Sequence, residues 1–137
     1  MDFSSFKNKK VLVTGHTGFK GSWLSLWLNI LGAKVLGISN KVPTKPSHYE
    51  YLKDCFYKDL RLDIRDKDSI GEVIINFKPD YLFHLAAQPL VRHSYKDPIL
   101  TWETNLMGTI NILEQLRYIE NKCCAVIITS DKCYDNV

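Results

Sequence analysis

The chain has no run of the roughly 20 consecutive apolar residues that a membrane-spanning helix needs. Its first ten residues carry charges where a signal peptide would hold an apolar core, which points to the cytoplasm. Charge of one sign is also lacking. Lys and Arg number 18 against 15 Asp and Glu, and the lysines are scattered, so no nucleic-acid or membrane footprint emerges. The four cysteines, Cys55, Cys123, Cys124 and Cys133, form no C-x-x-C pair and no His-Cys metal spacing. That leaves buried free thiols as the expectation and gives no metal site. No internal repeat or low-complexity tract is present, and 137 residues are enough for a single core.

What is present is concentrated at 11–21, where the apolar run V-L-V-T meets three glycines spaced G-x-x-G-x-x-G and a helical pattern opens at Ser22. This is a dinucleotide phosphate site when a strand precedes it and a helix follows. Gly15 permits the tight turn out of the strand, Gly18 lets the backbone approach a pyrophosphate, and Gly21 lets the helix pack close to the strand. Thr17, Phe19 and Lys20 complete the loop, and the helix N-terminus favours the phosphate charge. The stripe Trp23, Leu24, Trp27, Leu28 and Leu31 supplies the helical pattern that the motif demands.

The rest of the chain alternates strand and helix. Strands are expected at 10–14, 34–39, 56–62, 81–85 and 124–129, and helices at 18–31, 66–77 and 97–120. Gly32 stands at a helix C-terminus, Asp66 is a suitable N-cap, and 41–54 reads as a long connection with one helical turn. The last two strands are apolar enough for burial on both faces. In the long helix, Ile99, Trp102, Leu106, Ile110, Leu113 and Leu116 or Arg117 form an apolar stripe on one face. The fold class is α/β, a Rossmann-type doubly wound parallel sheet. Right-handed crossovers give the strand order 3-2-1-4-5, truncated after strand five, which leaves that strand at an open border. The chain reads as a single dinucleotide-binding domain over 1–137, the N-terminal portion of a longer enzyme whose substrate domain is absent.

Three further segments fall at the carboxyl edge of that sheet, where such folds bind ligands. Asp63 and Ile64 are placed to meet an adenine, although Asp63 also suits a turn or cap. Leu85, Ala86, Ala87 and Gln88 let backbone approach a ribose or nicotinamide, or else record tight packing. Ser130, Asp131 and Lys132 follow strand five, either as site residues or as a polar loop. Asn105 interrupts the apolar stripe between Trp102 and Leu106. A buried amide there must find partners, with a local bond at the helix edge as the alternative. His84 is best read as a satisfied core histidine. NAD-specific sites usually carry an acid after strand two, but Ser39, Asn40 and Lys41 stand there instead. Asn40 can bond a ribose hydroxyl, while Lys41 or Lys45 could pair with a 2′-phosphate, so NAD is expected with NADP left open.

The glycine string at 14–21, D-I-R-D at 63–66, L-A-A at 85–87, T-N-x-x-G-T at 104–109 and T-S-D at 129–131 together resemble the extended short-chain dehydrogenase/reductase family, nearest its nucleotide-sugar members. The longer strings at 14–24, 86–95 and 129–136 resemble the branch acting on CDP-glucose. The resemblance implies a lyase that takes hydride from C4 of the hexose onto NAD, loses water across C5 and C6 and returns the hydride to C6, giving CDP-4-keto-6-deoxyglucose. It implies that Ser130 polarises the sugar oxygen and Asp131 is the acid. Lys132, in place of glutamate, would be the base as an amine of lowered pKa. It also implies a homo-oligomer at full length.

The family's Y-x-x-x-K pair belongs beyond strand five. Matches at Tyr49 to Lys53 and Tyr118 to Lys122 are in the wrong places and read as chance. The chain alone is therefore expected to bind cofactor without turning over. Two other readings stay open, a different nucleotide-sugar dehydratase or epimerase of the same family, and a non-catalytic dinucleotide-binding module.

Overall fold

Alternation along the first strand sets the architecture, because Val11 and Val13 point to one side of it and Leu12 to the other, and all three are fully buried. Such a strand needs a layer on each face. In the computed structural model, which describes residues 3–130, it is the centre of a five-stranded sheet. The strands are β1 (Lys10–Thr14), β2 (Lys34–Ile38), β3 (Lys58–Leu60), β4 (Tyr81–His84) and β5 (Cys124–Ile127). Their order is β3-β2-β1-β4-β5, and every pairing is parallel. Thr14 stands opposite Ile38 on one side and His84 on the other, so three strands finish level with one another.

Helix α1 (Phe19–Ile30) covers one face and closes a core of Val11, Val13, Leu28, Ala33 and Val35. Helices α2 (Lys67–Phe77) and α5 (Gly108–Leu116) cover the other, around Leu12, Leu36, Ile38, Ile64, Ile70, Ile74, Leu82 and Ile112. Each Val, Leu or Ile among them contributes about 1.5–3 kcal/mol when fully buried. Local signals end the helices as expected. Gly32 adopts a left-handed φ of +81°, and Ala33 donates its N–H back to Leu28 O at 3.0 Å. Asp66 caps α2 by accepting from the Ser69 N–H at 3.1 Å.

Several expectations are corrected. The helix expected at 97–120 is found as a continuous helical run over 98–116, in which α4 (Pro98–Trp102) passes through a π-helical turn (Glu103–Met107) into α5, and it ends short of Glu120. A further short helix, α3 (Val91–Lys96), precedes it, and Asp97 caps α4 with Pro98 at its first position. Most of the expected apolar stripe faces outward, although Leu116 packs against the core. Ile99 and Trp102 are two-thirds or more exposed, and Leu106, Ile110 and Leu113 are exposed too. The buried residues of α5 are Gly108, Ile112 and Gln115. Glycines decide the orientation. A Cβ on Gly108 would sit 2.5 Å from Ile64 Cδ1, and one on Gly71 of α2 would sit 2.7 Å from Gln115 Oε1, so the helices meet where the smallest residues lie.

In α1 likewise Gly21, Ser22, Ser25 and Leu28 are buried, whereas Trp23 and Trp27 are half exposed. β3 is shorter than expected, and the connection 41–54 holds two 3-10 turns, His48–Tyr51 and Lys53–Cys55. β5 is not buried on both faces. Cys124, Ala125 and Val126 are exposed, and β5 has β4 as its one neighbour among the described residues. The thiols are not all buried either: Cys124 is exposed, Cys55 and Cys123 are partly covered, and Cys133 lies outside the described residues.

Candidate functional site

The loop leaving β1 is built by glycines that touch its own backbone. Gly15 takes a left-handed φ of +75° and donates its N–H to Ile38 O at 2.7 Å. A Cβ there would lie 2.8 Å from both Leu85 C and Ala86 N, so the turn is pressed against the segment leaving β4. A Cβ on Gly21 would collide with Gly15 O and reach 2.8 Å from His16 Cα. Gly18 differs. Its added Cβ would meet only Gly15 O, at 3.3 Å, and its other sides are open. Gly18 is also the N-cap of α1 and carries no side-chain cap, so the first N–H groups of the helix face a region that a phosphate could fill. Phe19 and Lys20, the first two helical residues, are exposed.

Thr17 is 2% exposed. Its hydroxyl donates to Lys41 O at 2.7 Å and pairs with the Ser39 hydroxyl at 2.8 Å, tying the glycine loop to the segment after β2. Asn40, exposed in that segment, lies close enough to Asp63 for its amide to favour the charged carboxylate. Asp63 accepts from the Arg65 N–H at 2.9 Å, as an Asx turn does, and pairs with the Arg65 guanidinium at 2.8 Å. The Arg65 hydrogen bonds outweigh burial and hold the Asp63 carboxyl below the usual carboxylate range. Ile64 turns its side chain into the core, 4% exposed, and its carbonyl accepts from Asn111 Nδ2 at 3.1 Å. Asn40, Asp63 and Ile64 thus come together, with Arg65 beside them reaching Glu103 at 3.3 Å.

On the other side of the glycine loop, Leu85 and Ala86 are partly buried and Ala87 is exposed. The Asn105 amide grips the next residue twice. Its Oδ1 accepts from the Gln88 N–H at 2.7 Å, and its Nδ2 donates to Gln88 O at 3.1 Å. Asn105 is exposed rather than buried, a correction to its expected place, because it sits on the π-helical turn at the rim and reaches outward to the loop. The Gln88 side chain closes the loop further, accepting from the Leu90 N–H at 2.7 Å and donating to Thr101 Oγ1 at 3.0 Å. Ser130 is exposed, three residues past β5. Asp131 and Lys132 lie outside the described residues.

One cluster escaped sequence reasoning. His16, between the first two glycines, is fully buried and bonds Asp59 Oδ1 through Nε2 at 2.8 Å. Arg61 pairs with the same carboxylate at 2.6 Å, and the Tyr49 hydroxyl joins both Asp59 and Arg61. Burial lowers the His16 pKa, so the ring is neutral near pH 7. For Asp59, burial opposes ionisation, but bonds from Tyr49, His16 and Arg61 prevail and lower its pKa. The signal in the sequence was Gly37, a glycine inside an apolar strand, where a Cβ would come 2.5 Å from the His16 ring. This cluster engages Tyr49. Tyr118, at the opposite end of the sheet, donates to Glu114 Oε1 at 3.1 Å.

The family model described as GDP-mannose 4,6 dehydratase matches residues 12–137. The chain belongs to that family. It is 51% identical to a CDP-glucose 4,6-dehydratase of Salmonella typhimurium over 99% of this chain and 38% of that one. Among solved structures, Pal from Bacillus thuringiensis superposes with a TM-score of 0.84 at 30% identity, covering 93% of this chain and 41% of that one. A Thermus thermophilus UDP-glucose 4-epimerase, solved in complex with NAD, superposes with a TM-score of 0.69 at 35% identity, covering 80% and 34%. The family chain described here therefore spans well under half the length of each of these relatives. Its own share carries the strand order, the glycine loop and the level ends of β1, β2 and β4.

Proposed function

We propose that the chain is the dinucleotide-binding part of a CDP-glucose 4,6-dehydratase and that NAD is its cofactor. The observation that carries the reading is the difference among the three glycines: two are sealed by their own backbone, and Gly18 alone opens onto the uncapped start of α1. A diphosphate fits there, since a side chain at Gly18 would take its space. Asn40, Asp63 and Ile64 would hold the adenosine end. Leu85, Ala86, Ala87 and Gln88, fixed by Asn105, would hold the ribose and nicotinamide end. Ser130, Asp131 and Lys132 would meet the hexose, with Ser130 on the sugar oxygen, Asp131 giving a proton to the departing hydroxyl and Lys132 taking the C5 proton. The bound nicotinamide would supply reversible hydride acceptance, which makes the C5 proton acidic by way of a C4 ketone.

NAD is favoured over NADP because a reaction that returns its own hydride needs no reducing pool. Titration calorimetry tests the reading. The chain is expected to bind NAD more tightly than NADP, and Gly18→Val to abolish binding while the circular dichroism of the fold is kept. Unchanged affinity in a folded Gly18→Val variant overturns the loop assignment. The 137 residues are expected to give no turnover of CDP-glucose, because Tyr49 is engaged by Asp59 and Arg61 and Tyr118 lies at the far end of the sheet. Product formed by this chain alone overturns that part.

A further inference from the structure

His84 is 1% exposed at the end of β4, and both of its ring nitrogens are engaged. Nδ1 lies 2.7 Å from Thr14 Oγ1, and Nε2 lies 3.0 Å from Thr109 Oγ1. Each hydroxyl has a second contact that fixes where its single proton goes. Thr109 Oγ1 is 2.7 Å from Asn105 O, a carbonyl that can only accept, so the Thr109 proton is committed there and its oxygen must accept from His84 Nε2–H. The neutral ring then has a bare Nδ1, which accepts from Thr14 Oγ1–H. Thr14 Oγ1 in turn accepts from the Ala86 N–H at 3.2 Å. Every proton in the chain from Ala86 through Thr14, His84 and Thr109 to Asn105 therefore runs one way, and Asn105 closes it on the backbone of Gln88.

We propose that His84 is a positioning residue, held as the Nε2–H tautomer, which couples the end of β1 and the π-helical turn to both ends of the Ala86–Gln88 segment and so sets the backbone that receives the nicotinamide half of the cofactor. An imidazolium could not do this. It would donate at both nitrogens, leaving Thr14 with two donors aimed at it and its own proton without an acceptor among the described contacts. Burial pushes the His84 pKa down to about 4, in keeping with a neutral ring. Thr109 is the link on which the arrangement turns, because it joins the ring to the helix that carries Asn105.

The coupling to cofactor rests on the reading of segment 85–88 given under the proposed function, so the test has one arm that needs no cofactor. Nitrogen-15 spectra of the histidine rings in the full chain are expected to show His84 protonated at Nε2 and bare at Nδ1 at neutral pH. Thr109→Val keeps the shape and removes the hydroxyl. It is expected to speed hydrogen exchange at the Ala86 and Gln88 amides and to weaken NAD binding about tenfold, the factor that one unsatisfied buried group implies. Thr109→Ser is expected to restore both. An Nδ1–H tautomer, or unchanged exchange at both amides in folded Thr109→Val, overturns the proposal. Absence of NAD binding by the unaltered chain overturns the cofactor reading instead and leaves the tautomer and exchange results to judge the relay. Altered exchange with NAD affinity unchanged overturns the coupling of the relay to the cofactor.

Discussion

β1 and β5 are similar as strings, K-V-L-V-T against C-A-V-I, and opposite as structures. From Val11 onward β1 is buried throughout, whereas β5 is exposed along its first three residues. The difference lies in neighbours. β1 has a strand on each side and a helix layer over each face, while β5 has β4 on one side, and the α1 core gathers around β1 and β2. An apolar run thus specifies a strand without specifying how much of it is covered. The helical layer repeats the lesson, since Trp23, Trp27, Trp102, Ile110 and Leu113 face outward while Gly21, Gly71 and Gly108 face in.

The widest contrast is in stability. Leu12→Ala in the centre is expected to cost about 2–5 kcal/mol, and Val126→Ala at the border about 0.5 kcal/mol, as read from urea unfolding. Equal costs would mean that β5 is covered in solution. A second probe is pH. His84 falls from an ordinary 6.5 to about 4 in the fold, so between those values the unfolded chain binds the extra proton and stability falls as pH is lowered, by about 3 kcal/mol in all. Buried His16 is shifted the same way and adds to the trend. His84→Gln is expected to flatten part of the slope, and an unaltered slope would break the picture of a sealed centre. The smallest effect compares two adjacent residues. Cys124 is exposed, whereas burial pushes the Cys123 thiol up to about 11, so brief alkylation at pH 8 followed by peptide mapping is expected to label Cys124 first. Equal labelling would show that the start of β5 opens readily.

Much of what was legible in the sequence was local. The glycine loop, the Asp66 cap and the Gly32 turn each depend on residues within a few positions of one another, where backbone sterics and capping bonds act, while the strand order followed from the right-handed rule for crossovers between parallel strands. The start of the long helix at Asp97 and Pro98 was also local, whereas the apolar periodicity running through Glu103–Met107 gave no sign of the π-helical turn there. The remainder was long-range. Asn105 meets Gln88 across 17 positions, His16 meets Asp59 across 43, and Thr14 meets His84 across 70. No periodicity reports such pairs, because they are set by which strands lie side by side. His84 was correctly placed in the core as a satisfied side chain, but its partners could be known only from the register of β1 and β4.

The three glycines at 15, 18 and 21 look equivalent on paper, yet they answer to different pressures. Gly15 and Gly21 are demanded by the polypeptide itself, each by backbone that would strike its Cβ. Gly18 is demanded by nothing of comparable force within the protein. A descendant that gave up its nucleotide would have to keep the outer pair to fold and would be free to drift at the middle one. The residue at the central position therefore separates a sequence that has kept the architecture from one that has also kept the ligand.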